Sequence, residues 1–323
     1  MATAQFDSSF RQQRPDPGFG SQRLLQRLTS ANLPVRRVKA LFVSDVHLGS
    51  RFSRAEEFLH MLMTHQPDDL YLVGDLLDGW KLKKQWFWNS VYDDILNRLA
   101  ELQLMGTQIT YLPGNHDAFL RSYIGKTLPW KMPFELELVN ETIHKAIDGR
   151  EFLVTHGDQF DHHECASGWV SACVTVAYDW VLAIDTFCAR WQKNSTKREI
   201  AARLKGLVGS FGQFFEEYRG KCRDYARRQG LDGIICGHIH QPIIENESSI
   251  AYLNTGDWVE HCTALIEDYS GQWQLCELKS NQMTPIAEFH STFTEAPENS
   301  VVLPSNDHSD QLSQPAFGDI TSV

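Results

Sequence analysis

Five short blocks in this chain place histidine, aspartate or asparagine beside glycine: Asp45 and His47 in SDVHLG, Asp75 in GDLLD, Asn115 in GNHD, His156 in HGD, and His238 with His240 in GHIH. Carboxylate and amide oxygens suit hard divalent cations, and added imidazole shifts preference toward ions such as manganese, iron or zinc. The mixed set predicts manganese-like ions. No CxxC pair of the kind that holds structural zinc occurs. In an extended segment residues i and i+2 face the same way, so Asp45 with His47, and His238 with His240, are each expected to present two groups to one place. Gly49, Gly74, Gly114, Gly157 and Gly237 suit turns that bring backbone close to ions or phosphate. A single HxH says little; five blocks that each follow a strand-like run constrain one another.

Those runs are Lys39 to Ser44, Leu70 to Val73, Gln108 to Leu112, Phe152 to Thr155 and Gly233 to Cys236. Each is short and apolar and closes on polar residues, as buried strands do. Helical patterning over Arg54 to Thr64 and Ser90 to Leu104 separates the early strands, which predicts an α/β layered domain. The run Ile250 to Leu278 reads as consecutive antiparallel strands. In open α/β sheets functional groups gather beyond the carboxyl ends of the strands, where all five blocks fall.

Residues 160–229 break the pattern and predict a helical cap inserted over the functional edge. Its first half, Trp169 to Ala189, is apolar apart from Asp179 and Asp185. Those two acids count against a membrane span, since each costs roughly 2.5–3.5 kcal/mol on insertion scales. Its second half, Arg190 to Arg228, carries eleven Lys or Arg against Glu199, Glu216, Glu217 and Asp224, a local +7 in a chain of net charge −11. Lys197 and Arg198 are the cap residues selected to meet substrate phosphate. The cap as a whole is suited to a lipid-linked anion and to peripheral contact with a membrane.

The composition, with 22% charged residues, is that of a folded globular protein rather than a disordered one. A net charge of −11 argues against general nucleic-acid binding. Seven scattered cysteines, odd in number, read as reduced thiols of a cytoplasmic protein. The first forty residues hold six arginines and no continuous apolar run, so they do not read as a secretory signal. Residues 1–36 and 291–323 read as disordered tails around a domain of residues 37–290.

With its motifs DxH, GDxxD, GNHD, HGD and GHxH in that order, the chain over residues 39–280 resembles the calcineurin-like metallophosphoesterases. The resemblance implies a β-sandwich flanked by helices and two divalent cations. One would be held by Asp45, His47, Asp75 and His240, the other by Asp75, Asn115, His156 and His238, with Asp75 between them. It implies hydrolysis of a phosphoester or phosphoanhydride by activated water. His116 would contact phosphate beside Asn115 and protonate the leaving oxygen, with Asp117 a candidate to orient it.

LFVSDVHLG, YLVGDLLD, THGDQFD and GHIHQP followed by NTGDWVEHCTAL are similar to the UDP-2,3-diacylglucosamine diphosphatase group of lipid A synthesis and its bacterial relatives. That likeness implies a lipid-linked diphosphate substrate at the cytoplasmic face of the inner membrane. The sequence departs from the group at His116, where the diphosphatases usually carry arginine. Two alternatives follow: a nucleotide phosphodiesterase or phosphatase on the same site, and a binding module without catalysis. The second should have lost ligands, whereas every ligand position here is filled.

Overall fold

Alternation along the first strand separates two hydrophobic layers. In β1 (Arg36–Val43), Leu41 and Val43 face one side and Ala40 and Phe42 the other, because successive side chains of a strand point to opposite faces. The first side packs on α1 (Ala55–Thr64) and α2 (Ser90–Leu104), which present Phe58, Leu59 and Leu62, and Ile95, Leu99 and Leu102. That spacing is the apolar stripe of a surface helix. Asn89 starts α2 by accepting a hydrogen bond from the backbone N of Tyr92. The computed structural model describes residues 34–80, 88–128, 133–161, 195–246 and 249–290, with the backbone alone over 195–211 and at 290.

Two sheets form the centre. In the first, β1 runs parallel to β2 (His65–Leu72), followed by β3 (Gln108–Tyr111) and β4 (Glu137–Leu138), all parallel. On the other side of β1 lie β10 (Thr263–Glu267), β11 (Gln272–Lys279) and β12 (Gln282–His290), all antiparallel. The second sheet has the order β5 (Glu141–Lys145), β6 (Glu151–Thr155), β7 (Gly233–Cys236), β9 (Ala251–Asn254) and β8 (Ile243–Glu245), with β6, β7 and β9 parallel. Phe42, Leu112, Phe152, Val154, Ile235, Leu253 and Trp273 fill the space between the sheets. Leu153, Ile234 and Tyr252 point outward onto Phe215, Tyr218, Cys222 and Ala226 of α3 (Ser195–Arg228). The result is the expected sandwich flanked by helices.

Two expectations are corrected. Ile250 to Leu278 is not one antiparallel series, because β9 lies in the second sheet parallel to β7 while β10 and β11 pair in the first. The chain crosses between sheets over residues 255–262, where Trp258 is buried against Phe58. β2 begins at His65 rather than Leu70, because its polar first half pairs in register with β1 from Arg36 onward. From Phe214 onward α3 is a layer on the outer face of the second sheet, so this part of the inserted segment packs against the sandwich. Trp169 to Ala189, residues 1–33 of the first tail and residues 291–323 lie outside the described residues, while Arg36, placed in the tail by the sequence reading, opens β1. Among the described residues no helix is long and apolar enough to cross a membrane. The described cysteines, Cys222, Cys236, Cys262 and Cys276, are buried free thiols.

Candidate active site

The five blocks follow the carboxyl ends of β1, β2, β3, β6 and β7, strands that run parallel within each sheet. The local geometry differs from the extended pairs expected. Asp45, His47, Asp75, His238 and His240 all have φ between 52° and 68°, a left-handed conformation that costs a side-chain-bearing residue energy and tends to persist where the surroundings impose it. The surroundings here are backbone: Asp45 N donates to Gly74 O at 3.0 Å, and His47 N to Asp75 O at 2.9 Å. The SDVHLG and GHIH turns thus have left-handed residues at i and i+2, and GDLLD has one at Asp75, in place of strand alternation.

Asp45, His47 and His240 form one group, with ligand atoms within 4.8 Å of one another. Asp45 Oδ2 accepts hydrogen bonds from Ser44 Oγ and from His238 N at 3.0 Å. Its Oδ1 is 3.1 Å from His240 Nε2 and 3.8 Å from His47 Nε2, yet this buried oxygen makes no hydrogen bond among the described residues. The Nε2 atoms of His47 and His240 are 3.4 Å apart. Burial, with the neighbouring His116, pulls His47 down to about 4. Burial opposes protonation of His240 too, but the Asp45 carboxylate outweighs it and holds His240 up to about 9. Two imidazolium ions do not fit there, whereas one cation shared by both rings and Asp45 Oδ1, in place of the His240 proton that this oxygen now faces, does.

Asp75 belongs to two further groups, one with Asp45 and His156 and one with His47 and His116. Its Oδ2 is 3.4 Å from His156 Nε2, and its Oδ1 accepts from His116 N at 2.8 Å. Burial raises the Asp75 carboxyl, but the His156 charge and hydrogen bond outweigh it and keep it ionised. His156 Nδ1 donates to Val73 O at 2.8 Å, which turns Nε2 toward Asp75 and toward Asn115 Oδ1 at 3.3 Å. His238 lies beside this group, its ring centroid 5.2 Å from that of His156, with Nε2 3.2 Å from Asp161 Oδ2. Of the seven predicted ligands the fold gathers six tightly and sets His238 at their edge with a carboxylate the motif analysis passed over. A buried set of carboxylate, amide and imidazole groups fits divalent cations.

His116 stands at the rim. Its Nδ1 is 3.3 Å from Asp78 Oδ1, and its ring stacks on Trp80 with centroids 4.1 Å apart. Burial lowers its proton affinity, but the Asp78 hydrogen bond and the Asp75 charge raise it overall. Asp117 does not take the orienting place suggested for it. Fully buried, it accepts from Gly114 N, Leu77 N and Tyr111 Oη and ties the GNHD turn to β3. Burial and the Asp75 charge push its carboxyl up to about 7. Asp158 receives Arg121 on both oxygens at 2.7 Å, clamping the HGD turn to the helical turn after GNHD. Asp257 binds His261 Nδ1 at 2.5 Å and the amides of Val259 and Glu260, while Trp258 N donates to Asp45 O at 3.0 Å. Asp161, the last acid of THGDQFD, is thus the residue that sequence reasoning passed over, whereas Asp78, the last acid of GDLLD, which the sequence leaves open between a turn residue and a functional one, holds the His116 ring.

Lys197 and Arg198 lie in the first turns of α3, where the backbone alone is described. Further along, Arg219 and Arg223 both pair with Glu245, Lys221 with Glu217 and Arg227 with Asp224. The basic stretch is therefore partly neutralised by the chain's own acids.

The family described as Calcineurin-like phosphoesterase matches residues 38–242. A UDP-2,3-diacylglucosamine hydrolase from Xanthomonas campestris pv. campestris is 26% identical over 254 residues, covering 72% of this chain and 96% of that protein. One of the same name from Porphyromonas gingivalis is 29% identical over 131 residues, so the chain spans about half, 47%, of its length and 38% of its own. Among solved structures, a Vps29 mutant from Entamoeba histolytica matches 78% of this chain and 99% of that one, with 14% identity and a TM-score of 0.41.

Proposed function

Since this chain belongs to the calcineurin-like phosphoesterase family and is a metal-dependent phosphoesterase, we propose that it hydrolyses a lipid-linked diphosphate, UDP-2,3-diacylglucosamine, with two divalent cations, of which manganese is the physiological pair. Asp45, His47, Asp75 and His240 would hold one cation, and Asp75, Asn115, His156 and His238 the other. The observation that carries this reading is the convergence of ring nitrogens on buried carboxylates, one of whose oxygens, Asp45 Oδ1, faces His240 Nε2 and makes no hydrogen bond among the described residues. When bound, such cations neutralise charge developing on phosphoryl oxygens and make a nucleophile of water at neutral pH. The chain's own part is to position phosphate with Asn115 and His116 and to deliver a proton from a His116 ring nitrogen to the leaving oxygen. Asp78 and Trp80 hold that ring in place.

The lipid substrate draws support from the relatives' printed names and from the apolar half of the inserted segment. The protein loaded with Mn²⁺ is expected to release UMP from UDP-2,3-diacylglucosamine at least tenfold more efficiently than from UDP-N-acetylglucosamine. Each buried acyl methylene is worth about 0.8 kcal/mol, so two account for about that factor. Lys197→Ala or Arg198→Ala should weaken lipid binding without loss of metal. Equal efficiency on both nucleotides would remove the lipid assignment. A second reading, a phosphodiesterase or phosphatase for another substrate, is favoured by the pairing of Arg219 and Arg223 with Glu245, an acid outside the +7 segment, which leaves that part of the basic stretch less charge for a diphosphate.

The metal reading makes a steric prediction at Gly114. A Cβ there would lie 2.2 Å from Asp75 Oδ1 and 2.6 Å from His156 Nε2. Gly114→Ala is expected to fold and to bind Mn²⁺ about 10–100-fold more weakly, the range typical when groups that orient metal ligands are disturbed. Calorimetric titration giving wild-type affinity would show that these two side chains do not hold the ions.

A further inference from the structure

We infer that Tyr218 is a positioning residue through which helix α3 sets the His156 and His238 loops, and therefore the affinity of one of the two cations. The inference rests on the two-cation reading above. Tyr218 is 1% exposed, and its hydroxyl donates to Gly157 O at 3.1 Å, the carbonyl directly after His156. Its ring lies nearly parallel to the imidazole of His238, with centroids 6.1 Å apart and 29° between planes. One side chain of α3 thus touches both loops that bring histidines to the same proposed cation.

The fit on the loop side is close. Gly157 has φ 106°, and a Cβ on it would lie 2.1 Å from Tyr218 Oη. Only glycine lets the HGD turn meet the hydroxyl. The histidine of the other proposed centre in the same GHIH turn, His240, is approached from α3 differently: Arg219 Nη1 reaches Gln241 Oε1 at 3.5 Å, one residue beyond it. Tyr225, two turns further along α3, sets its ring 5.3 Å from that of Phe160 at the end of the His156 loop, while its hydroxyl turns away to the Glu141 carboxylate at 3.1 Å on β5. What sets Tyr218 apart is that its hydroxyl holds the backbone of the His156 loop while its ring faces His238. Because α3 continues back to Lys197 and Arg198, whatever those residues bind is joined by one helix to the His156 and His238 loops.

The test is calorimetric titration of the metal-stripped full chain with Mn²⁺. Wild-type protein should bind two ions. Tyr218→Phe keeps the ring in its apolar pocket and loses only the hydroxyl, and should weaken one ion by about 10–100-fold while the other keeps close to its wild-type affinity. Tyr218→Leu, which also loses the face toward His238, should weaken the same ion further. Tyr225→Phe, an equivalent loss of a hydroxyl from the same helix, should bind both ions as wild type does. Both ions held at wild-type affinity by Tyr218→Phe, or both weakened together, would overturn the inference while leaving the two-cation reading in place. Wild-type protein that fails to bind two ions would overturn that reading and this inference with it. If Tyr218→Leu does not fold, Tyr218→Phe alone decides.

Discussion

Asp75→Ala is expected to strip the protein of both divalent cations at once and to lower turnover by more than the roughly 10²–10³-fold that loss of a single charge-stabilising donor costs. Asp75 is 2% exposed and belongs to the Asp45/His156 group and the His47/His116 group together. In the proposed assignment every other ligand serves one centre, although Asp45 and His47 also fall in two of the three groups. Removing the Asp75 carboxylate would therefore take a ligand from each ion and delete the negative charge that offsets their mutual repulsion. It also frees His116 N, which now donates to Asp75 Oδ1. Asp75→Asn separates these effects, since it keeps the shape and an acceptor but loses the charge. The measurement is metal content after gel filtration, with turnover of bis-p-nitrophenyl phosphate on the same sample. Asp45→Ala serves as the comparison and should release one ion only. Full metal content with wild-type turnover in Asp75→Ala would disprove the bridging role.

The second large effect is expected at His116. General acid–base groups contribute about 10²–10⁴-fold, so His116→Ala should lose that much on substrates with a poor leaving group. It should lose much less on p-nitrophenyl esters, whose leaving group needs little protonation. The geometry leaves a competing role open to measurement, because a His116 ring nitrogen lies within 4.8 Å of the ligand atoms of His47 and Asp75 and could itself hold an ion. Metal content decides between them: an acid leaves two ions behind when deleted, and a ligand does not. Equal losses on good and poor leaving groups, with both ions kept, would instead make His116 a phosphate-positioning group. Asp78→Asn should reproduce part of the loss, since Asp78 rather than Asp117 holds the ring.

Much of the element pattern was legible from burial periodicity. Ser90–Leu104 and Gly233–Cys236 have the boundaries that periodicity predicts, because an apolar stripe or run marks where a segment leaves solvent. The polar first half of β2 carries no such mark. Its partner is the backbone of β1, and backbone pairing does not depend on side-chain hydropathy. The assignment of β9 to one sheet and β10 to the other was hidden for a related reason: alternation tells which face of a strand is apolar, not which sheet that face will meet.

The same division runs through the site. The identities and order of Asp45, His47, Asp75, Asn115, His156, His238 and His240 lie in the sequence, since ligand chemistry belongs to residue types and parallel strands return their carboxyl ends to one edge. Their orientation does not. The left-handed turns at Asp45 and His238 are held by partners distant in the chain: Gly74 O for Asp45 N, Trp258 N on Asp45 O, and Asp45 Oδ2 for His238 N. Two aspartates of like appearance, Asp78 and Asp117, took different work because one faces His116 and the other is enclosed by Tyr111 and the GNHD backbone. The basic stretch of α3 read as free charge until packing set Glu245 beside Arg219 and Arg223. Residue types set which interactions this chain can make; only tertiary packing chose among them, because hydrogen bonds and ion pairs depend on distance in space and a sequence records distance along the chain.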